Sequence, residues 1–323
     1  MNRPRLFITR RWPHPVEVYL RERYDIVGNA SDAPLPVDEM HAAAREHDIL
    51  LTTVVDKLGA SVFDQPGCTV KLVCNYGVGH EHIDLDACRR HGIVVTNTPD
   101  VLTDSTAELA ILLMLMVARR AGEGERELRA NRWKGWRPSH LLGAQVTGKT
   151  LGLVGFGRIG QATAAKAAGG FGMSVLYHAR KQVDAAVELR LGARFCPELH
   201  SLLAAADFVS LHCPGGVATE NLIDSVRLAQ MKRSAFLINT ARGGVVDDDA
   251  LIRALREGTI AGAGLDVFRN EPHVREEYKT LDNVVLLPHL GSATTQTRVA
   301  MGMRAVANLE SWLAGRQPAD RVA

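Results

Sequence analysis

Long apolar runs, disulfide-type cysteine spacings, low-complexity tracts and a strong excess of one charge are all missing from this 323-residue sequence. The most hydrophobic stretch, LAILLMLMVA at 109–118, is ten residues long and lies between Glu108 and Arg119. A membrane-spanning helix needs about 20 apolar residues, so this stretch reads as a buried helix. The N-terminal MNRPRLFITRRW has a three-residue apolar run before Arg10 and Arg11, too short for a signal peptide. The five cysteines, at 68, 74, 88, 196 and 213, are odd in number, irregularly spaced and form no C-x-x-C pair. That argues against a disulfide scaffold and for reduced thiols in a cytoplasmic protein. The formal net charge is +2 with no long basic run, which speaks against nucleic acid or an acidic membrane surface as the main partner.

What is present is an ordinary globular composition, 46% hydrophobic and 23% charged, in a chain long enough for two domains that each bury a core. Short apolar runs alternate with amphipathic segments almost from end to end. Strands are expected at 5–9, 48–53, 70–75, 92–97, 150–155, 173–178, 207–212, 235–240, 261–267 and 283–288. The central ones are apolar on both faces with helical segments between them, the pattern of a parallel sheet covered by helices on both sides. The fold class is therefore α/β, with doubly wound parallel sheets. Ser105 and Glu108 have the spacing of a capping box ahead of the long apolar helix. The segment 247–258 starts with acids and ends at Gly258, as a capped helix should. Residues 122–149 are more polar and read as a helix followed by an extended excursion. Its Trp133 and Trp136 need a place to be buried, and a subunit interface would serve.

The stretch LGLVGFGRIGQ puts Gly155, Gly157 and Gly160 in a G-x-G-x-x-G pattern after a strand and at a helix start. The first glycine makes the tight turn, the second admits a pyrophosphate, and the third lets helix pack on strand. The anion then meets the free N–H groups and dipole of the helix. In this strand–turn–helix–strand setting the pattern predicts dinucleotide binding. A further absence is informative here. Where NAD binds, the end of the next strand usually carries an acid for the ribose diol. This strand ends LYHARK, with His178, Arg180 and Lys181 and no carboxylate before Asp184. Positive charge at that point suits a 2′-phosphate, so NADP(H) is expected in preference to NAD(H).

Three later stretches set polar residues at the ends of apolar strands, where a parallel sheet places its ligands. LINTARGGVVD carries Arg242, LDVFRNEP carries Asp266 and Glu271, and LLPHLGSAT carries His289. Arginine binds a carboxylate through two prongs, and a histidine held against a carboxylate is suited to general acid catalysis. With a nicotinamide, these are the parts needed to reduce a 2-keto acid. Periodicity alone does not bring them together. The cluster His80, Glu81, His82 lacks the H-E-x-x-H spacing, and no metal is expected.

The motifs NYGVGHEHIDLDACRRHGIVVTNTP, GKTLGLVGFGRIGQ, LHCPGGVATENLI, MKRSAFLINTARGGVVDDDALIRAL, GAGLDVFRNEP and PHLGSATTQTR, in this order over nearly the whole chain, resemble the D-isomer-specific 2-hydroxyacid dehydrogenase family. Within it the pattern is most similar to the glyoxylate/hydroxypyruvate reductases, including those acting on 2-ketogluconate. The resemblance implies a Rossmann cofactor domain, 99–289, inserted in a flavodoxin-like substrate domain, 1–98 and 290–323. It implies that Arg242 binds the substrate carboxylate and carbonyl oxygen, that His289 protonates that oxygen and that Glu271 orients His289. The backbone N–H groups of Val78 and Gly79 would hold the substrate carboxylate. Asp266 would face the nicotinamide carboxamide, Arg158 and Ile159 would lie along the pyrophosphate, and Pro214 and Thr240 would line the cofactor cleft. It also implies a homodimer built on the cofactor domain, with Trp136 reaching the active site from the partner subunit. The same fold serves as a dinucleotide-sensing corepressor, the alternative to an NADPH-dependent reductase.

Overall fold

Twelve short parallel strands, divided between two sheets, carry the fold of residues 4–323, which the structure, a computed structural model, describes. The chain divides into two compact units, residues 1–102 with 294–323, and residues 103–293. The first unit holds β1 (Leu6–Ile8), β2 (Ile26–Gly28), β3 (Ile49–Thr53), β4 (Leu72–Tyr76) and β5 (Val94–Thr96). Their spatial order is β2-β1-β3-β4-β5, the flavodoxin-like order. Helix Thr295–Leu313 returns from the far end of the sequence to pack on this sheet, burying Met301, Ala305, Val306 and Leu309 with Leu6, Ile49, Leu51 and Leu72.

The second unit holds β6 (Thr150–Val154), β7 (Ser174–His178), β8 (Ala193–Phe195), β9 (Phe208–Leu211), β10 (Phe236–Asn239), β11 (Gly262–Leu265) and β12 (Val284–Leu286). The order β12-β11-β10-β9-β6-β7-β8 is the doubly wound Rossmann arrangement with one added strand. Every residue of β9, β10 and β11 is buried, as strands covered on both faces require. Connections change direction between β6 and β9, so the turn after β6 opens at the switch point where such sheets bind ligands. The apolar helix Thr103–Ala118 buries Ala110, Leu113, Met114 and Val117 on this sheet. Among the described residues no helix is long and apolar enough to cross a membrane. All five cysteines are free thiols.

The unit boundaries fall four residues beyond the expected 98/99 and 289/290. The apolar helix belongs to the cofactor unit from its first residue, and residues 290 and 291 are hydrogen-bonded back to Asp266 in the same unit. The capping box also fails. The helix begins at Thr103, so Ser105 lies inside it, and Glu108 faces Lys166 (3.7 Å) on the neighbouring helix Arg158–Phe171. Helix Asp248–Glu257 is capped as expected: Asp247 accepts the Ala250 amide, and Gly258 closes the helix at φ +67°. Strands β2 and β8 were not expected from the sequence.

Candidate functional site

The turn between β6 and helix Arg158–Phe171 shows which glycines the protein itself demands. Gly155 sits at φ +94°, and a Cβ there would lie 2.6 Å from the Cys213 backbone nitrogen. A Cβ on Gly160 would lie 2.5 Å from the Gly155 carbonyl oxygen. Gly157 has an ordinary φ, and among the described residues no atom beyond its chain neighbours comes within 4 Å of where its Cβ would be. Packing therefore explains Gly155 and Gly160, and the space over Gly157 is left for a ligand at the helix N-terminus. Behind the turn, His212 lies against Gly155 and Gly160, with its Nε2 2.9 Å from Ser210 Oγ. Burial pushes His212 down to about 4, so at neutral pH its ring adds no charge to the turn.

Around this turn stand the other residues expected at the cofactor. Pro214 is exposed on the loop after β9. Thr240 follows β10, and its buried hydroxyl has no hydrogen-bond partner among the described residues. A buried hydroxyl left unpaired is costly, so Thr240 fits a site that a polar ligand completes. Arg158 and Ile159 begin the helix, where backbone N–H groups face an incoming anion. His178 ends β7 with Nδ1 3.1 Å from the Cys196 carbonyl oxygen. Arg180 and Lys181 are exposed, and neither enters a salt bridge among the described residues. Asp184, the first carboxylate after the strand, caps the next helix by accepting the Ala186 amide (2.9 Å). These residues fit a nicotinamide dinucleotide: residues 157–160 would hold its pyrophosphate, and the end of β7 would face its adenosine ribose.

At the C-terminal edge of the same sheet lie Arg242, Glu271 and His289, from the connections after β10, β11 and β12. His289 Nδ1 is 2.7 Å from Glu271 Oε2, and the other carboxylate oxygen of Glu271 accepts the Phe268 amide (2.8 Å). Burial works to raise the Glu271 carboxyl. The His289 hydrogen bond and charge, the Phe268 amide and the Arg242 charge overcome it, holding the carboxyl below its usual range. Glu271 is thus an anion held against the His289 ring. Arg242 donates from its guanidinium to the Ala241 carbonyl (2.7 Å), and its own carbonyl accepts from the Asn239 side chain (3.0 Å). The structure therefore brings the three expected catalytic residues into one neighbourhood.

His289 occupies the left-handed region at φ +55°, uncommon for a residue with a Cβ. Asp266 holds it there. Its carbonyl accepts the His289 amide (2.9 Å), and its carboxylate accepts the Leu290 (2.7 Å) and Gly291 (2.9 Å) amides. Burial pushes the Asp266 carboxyl up to about 6. This grip on the histidine loop is a task sequence reasoning missed, because hydrogen bonds to backbone amides 24 and 25 residues away leave no pattern in side-chain identity.

In the other unit, the segment after β4 is fastened through its carbonyls. Asn75 donates to Gly77 (3.3 Å) and Gly79 (2.8 Å), and Asn97 donates to Val78 (2.9 Å). Among the described residues, neither the Val78 nor the Gly79 amide donates to another backbone carbonyl. Among the described residues no three His, Cys, Asp or Glu side chains come together as metal ligands. Trp133 and Trp136 are 52% and 81% exposed, so this chain alone does not bury them.

Residues 111–291 match the family model for the D-isomer-specific 2-hydroxyacid dehydrogenase NAD-binding domain. The chain is 44% identical to a glyoxylate reductase of Thermococcus litoralis over 324 residues, covering 99% of this chain and 97% of that one. A solved structure of a Thermus thermophilus protein superposes with a TM-score of 0.90 at 43% identity, over 99% and 100% of the two chains. The NADPH-dependent glyoxylate/hydroxypyruvate reductase of Sinorhizobium meliloti, solved with NADP and malonate, gives a TM-score of 0.86 at 36% identity, over 100% and 97%. With a glycine turn at the switch point and a histidine–glutamate pair on the same sheet edge, the chain belongs to the D-isomer-specific 2-hydroxyacid dehydrogenases, NAD(P)-dependent oxidoreductases.

Proposed function

We propose that the chain reduces glyoxylate and hydroxypyruvate to their 2-hydroxy acids with NADPH, and that its range extends to 2-ketogluconate. The observation that carries the reading is the 2.7 Å His289–Glu271 pair, with the Arg242 charge close enough to act on Glu271. Arg242 binds the substrate carboxylate and polarises the adjacent carbonyl. When bound, the nicotinamide cofactor supplies the hydride. His289 is the general acid: its Nδ1 is engaged by Glu271, so Nε2 delivers the proton to the carbonyl oxygen as C2 becomes tetrahedral. Glu271 fixes the ring orientation and stabilises the imidazolium before transfer. Val78 and Gly79 present backbone amides to the substrate carboxylate, and Asp266 serves the nicotinamide carboxamide besides holding the His289 loop.

The relatives named for glyoxylate and hydroxypyruvate support the substrate class. The exposed Arg180 and Lys181, with Asp184 committed to a helix cap, support NADP(H) over NAD(H). The five free thiols support a cytoplasmic setting, and the exposed Trp133 and Trp136 support a homodimer through the cofactor domain, with Trp136 entering the partner subunit's active site.

A steady-state screen of glyoxylate, hydroxypyruvate, 2-ketogluconate, pyruvate and phenylpyruvate, each with NADPH and NADH, tests the reading. Turnover of the first two with NADPH is expected, and no turnover of any 2-keto acid would sink it. Arg180→Ala should raise KM for NADPH much more than for NADH. Equal effects on both cofactors would return this strand end to an ordinary solvated one.

A further inference from the structure

One buried tyrosine joins the two halves of the cofactor site. The ring of Tyr177, in β7, is fully buried and stacks on Phe156 at 3.9 Å and 16°. Phe156 is the residue between Gly155 and Gly157, so the ring braces the pyrophosphate turn from below. The other neighbour is Phe195 in β8, tilted at 5.3 Å. The Tyr177 hydroxyl points toward the turn 179–184, where it donates to Glu188 Oε1 (2.6 Å) and accepts the Val183 amide (3.0 Å). Gln182 donates to both Glu188 oxygens (3.0 and 3.2 Å). The backbone of β7 is tied to the glycine turn as well, through the Gly155 amide and the His178 carbonyl (2.9 Å).

Two consequences follow for the turn that carries Arg180 and Lys181. Its far end is fastened through the Val183 amide to the Tyr177 phenol, and through Gln182 to the Glu188 carboxylate that accepts from that phenol, whose ring is held between Phe156 and Phe195. And Glu188, a carboxylate that would repel a phosphate, has its lone pairs drawn onto Tyr177 and Gln182. The network lies behind the basic residues and leaves their side chains exposed.

We propose that Tyr177 and Glu188 are positioning residues for cofactor choice: the braced Tyr177 hydroxyl, gripping Glu188 and Val183, holds the 179–184 turn so that Arg180 and Lys181 meet a 2′-phosphate. The proposal rests on the NADP(H) reading above and adds residues that touch neither cofactor nor substrate.

Tyr177→Phe keeps the ring stack and removes both hydroxyl contacts. Losing one net hydrogen bond corresponds to roughly a fivefold change, so KM for NADPH is expected to rise by about that factor. KM for NADH and kcat at saturating NADPH should be nearly unchanged, and amide hydrogen exchange should accelerate across 179–184. Glu188→Ala, which leaves the aromatic stack untouched, should reproduce this result. Glu188→Gln retains an oxygen for the tyrosine while removing the charge, and should restore the wild-type KM for NADPH. Equal increases in both cofactors' KM values in Tyr177→Phe and Glu188→Ala, or unchanged exchange, would overturn the proposal. Arg180→Ala separates the two possible failures. If it loses NADPH selectively while Tyr177→Phe does not, the positioning role alone is wrong; if neither is selective, the cofactor reading beneath it is wrong.

Discussion

His289 and Asp266 divide the work of one loop. The first carries a ring nitrogen on a backbone at φ +55°, and the second holds that backbone through three hydrogen bonds from residues 289, 290 and 291. His289→Ala should lose most of kcat, whereas Arg242→Ala should lose both binding and rate; steady-state kinetics distinguishes them. An unchanged rate for His289→Ala would refute its role as the acid. Asp266 adds a pH-dependent effect. Its folded carboxyl, raised by burial to about 6, holds a proton more tightly than the unfolded chain, where the value is just below 4. Its contribution to stability therefore falls as pH rises between about 4 and 6. Asp266→Asn lacks this group, so the melting temperature of the wild type relative to the variant should drop between about pH 4 and 6. A constant difference across that range would show that Asp266 keeps its ordinary affinity. The residue types of the proposed catalytic trio stood out in the sequence, at strand ends. The second task of Asp266 did not, since its partners are main-chain groups.

At the scale of elements, local pattern worked where an element makes its own case and failed where a neighbour makes it. Asp247 and Gly258 mark both ends of helix Asp248–Glu257 with the side chain and backbone conformation that helix termini need. Asp247→Ala should cost about 1 kcal/mol, lowering the melting temperature by about 2–4 °C; thermal denaturation followed by circular dichroism checks it, and an unchanged transition would mean the cap contributes nothing. By contrast, Ile26–Gly28 and Ala193–Phe195 are three-residue edge strands, too short to show alternation, and they exist because β1 and β7 offer them an edge. The start of the apolar helix was misplaced for a related reason. Glu108 is turned toward Lys166 on another helix, which also pairs with Asp104 (2.9 Å), so the apparent cap signal belongs to helix–helix contact.

For the whole molecule, the chain leaves its first unit at residue 102 and returns at 294, which no local signal announces. The return is settled by helix Thr295–Leu313, whose apolar face finds its partners in strands about 230 to 300 residues earlier. The excursion after helix Ala121–Arg129 raises the question of assembly. The helix and the excursion leave Leu128, Trp133, Trp136 and Leu142 exposed, large apolar side chains of the kind an interface covers. Light scattering should give the mass of a dimer. Trp136→Ala should keep that mass and lower kcat/KM for hydroxypyruvate by about tenfold, the loss expected of roughly 1.4 kcal/mol at a substrate contact. A monomer of full activity would refute the shared site. What the sequence by itself determined are the features that are local or periodic: short buried strands between helices, the glycine turn, the acid-free end of β7, and an Arg, a Glu and a His of the right chemistry. Only the tertiary structure decided that His289 and Glu271 meet at 2.7 Å, that Asp266 fastens the histidine loop, and that Tyr177 ties Phe156 to the basic turn. Those contacts join connections of a shared sheet edge, and their energy lies in distances between residues that sequence order does not fix.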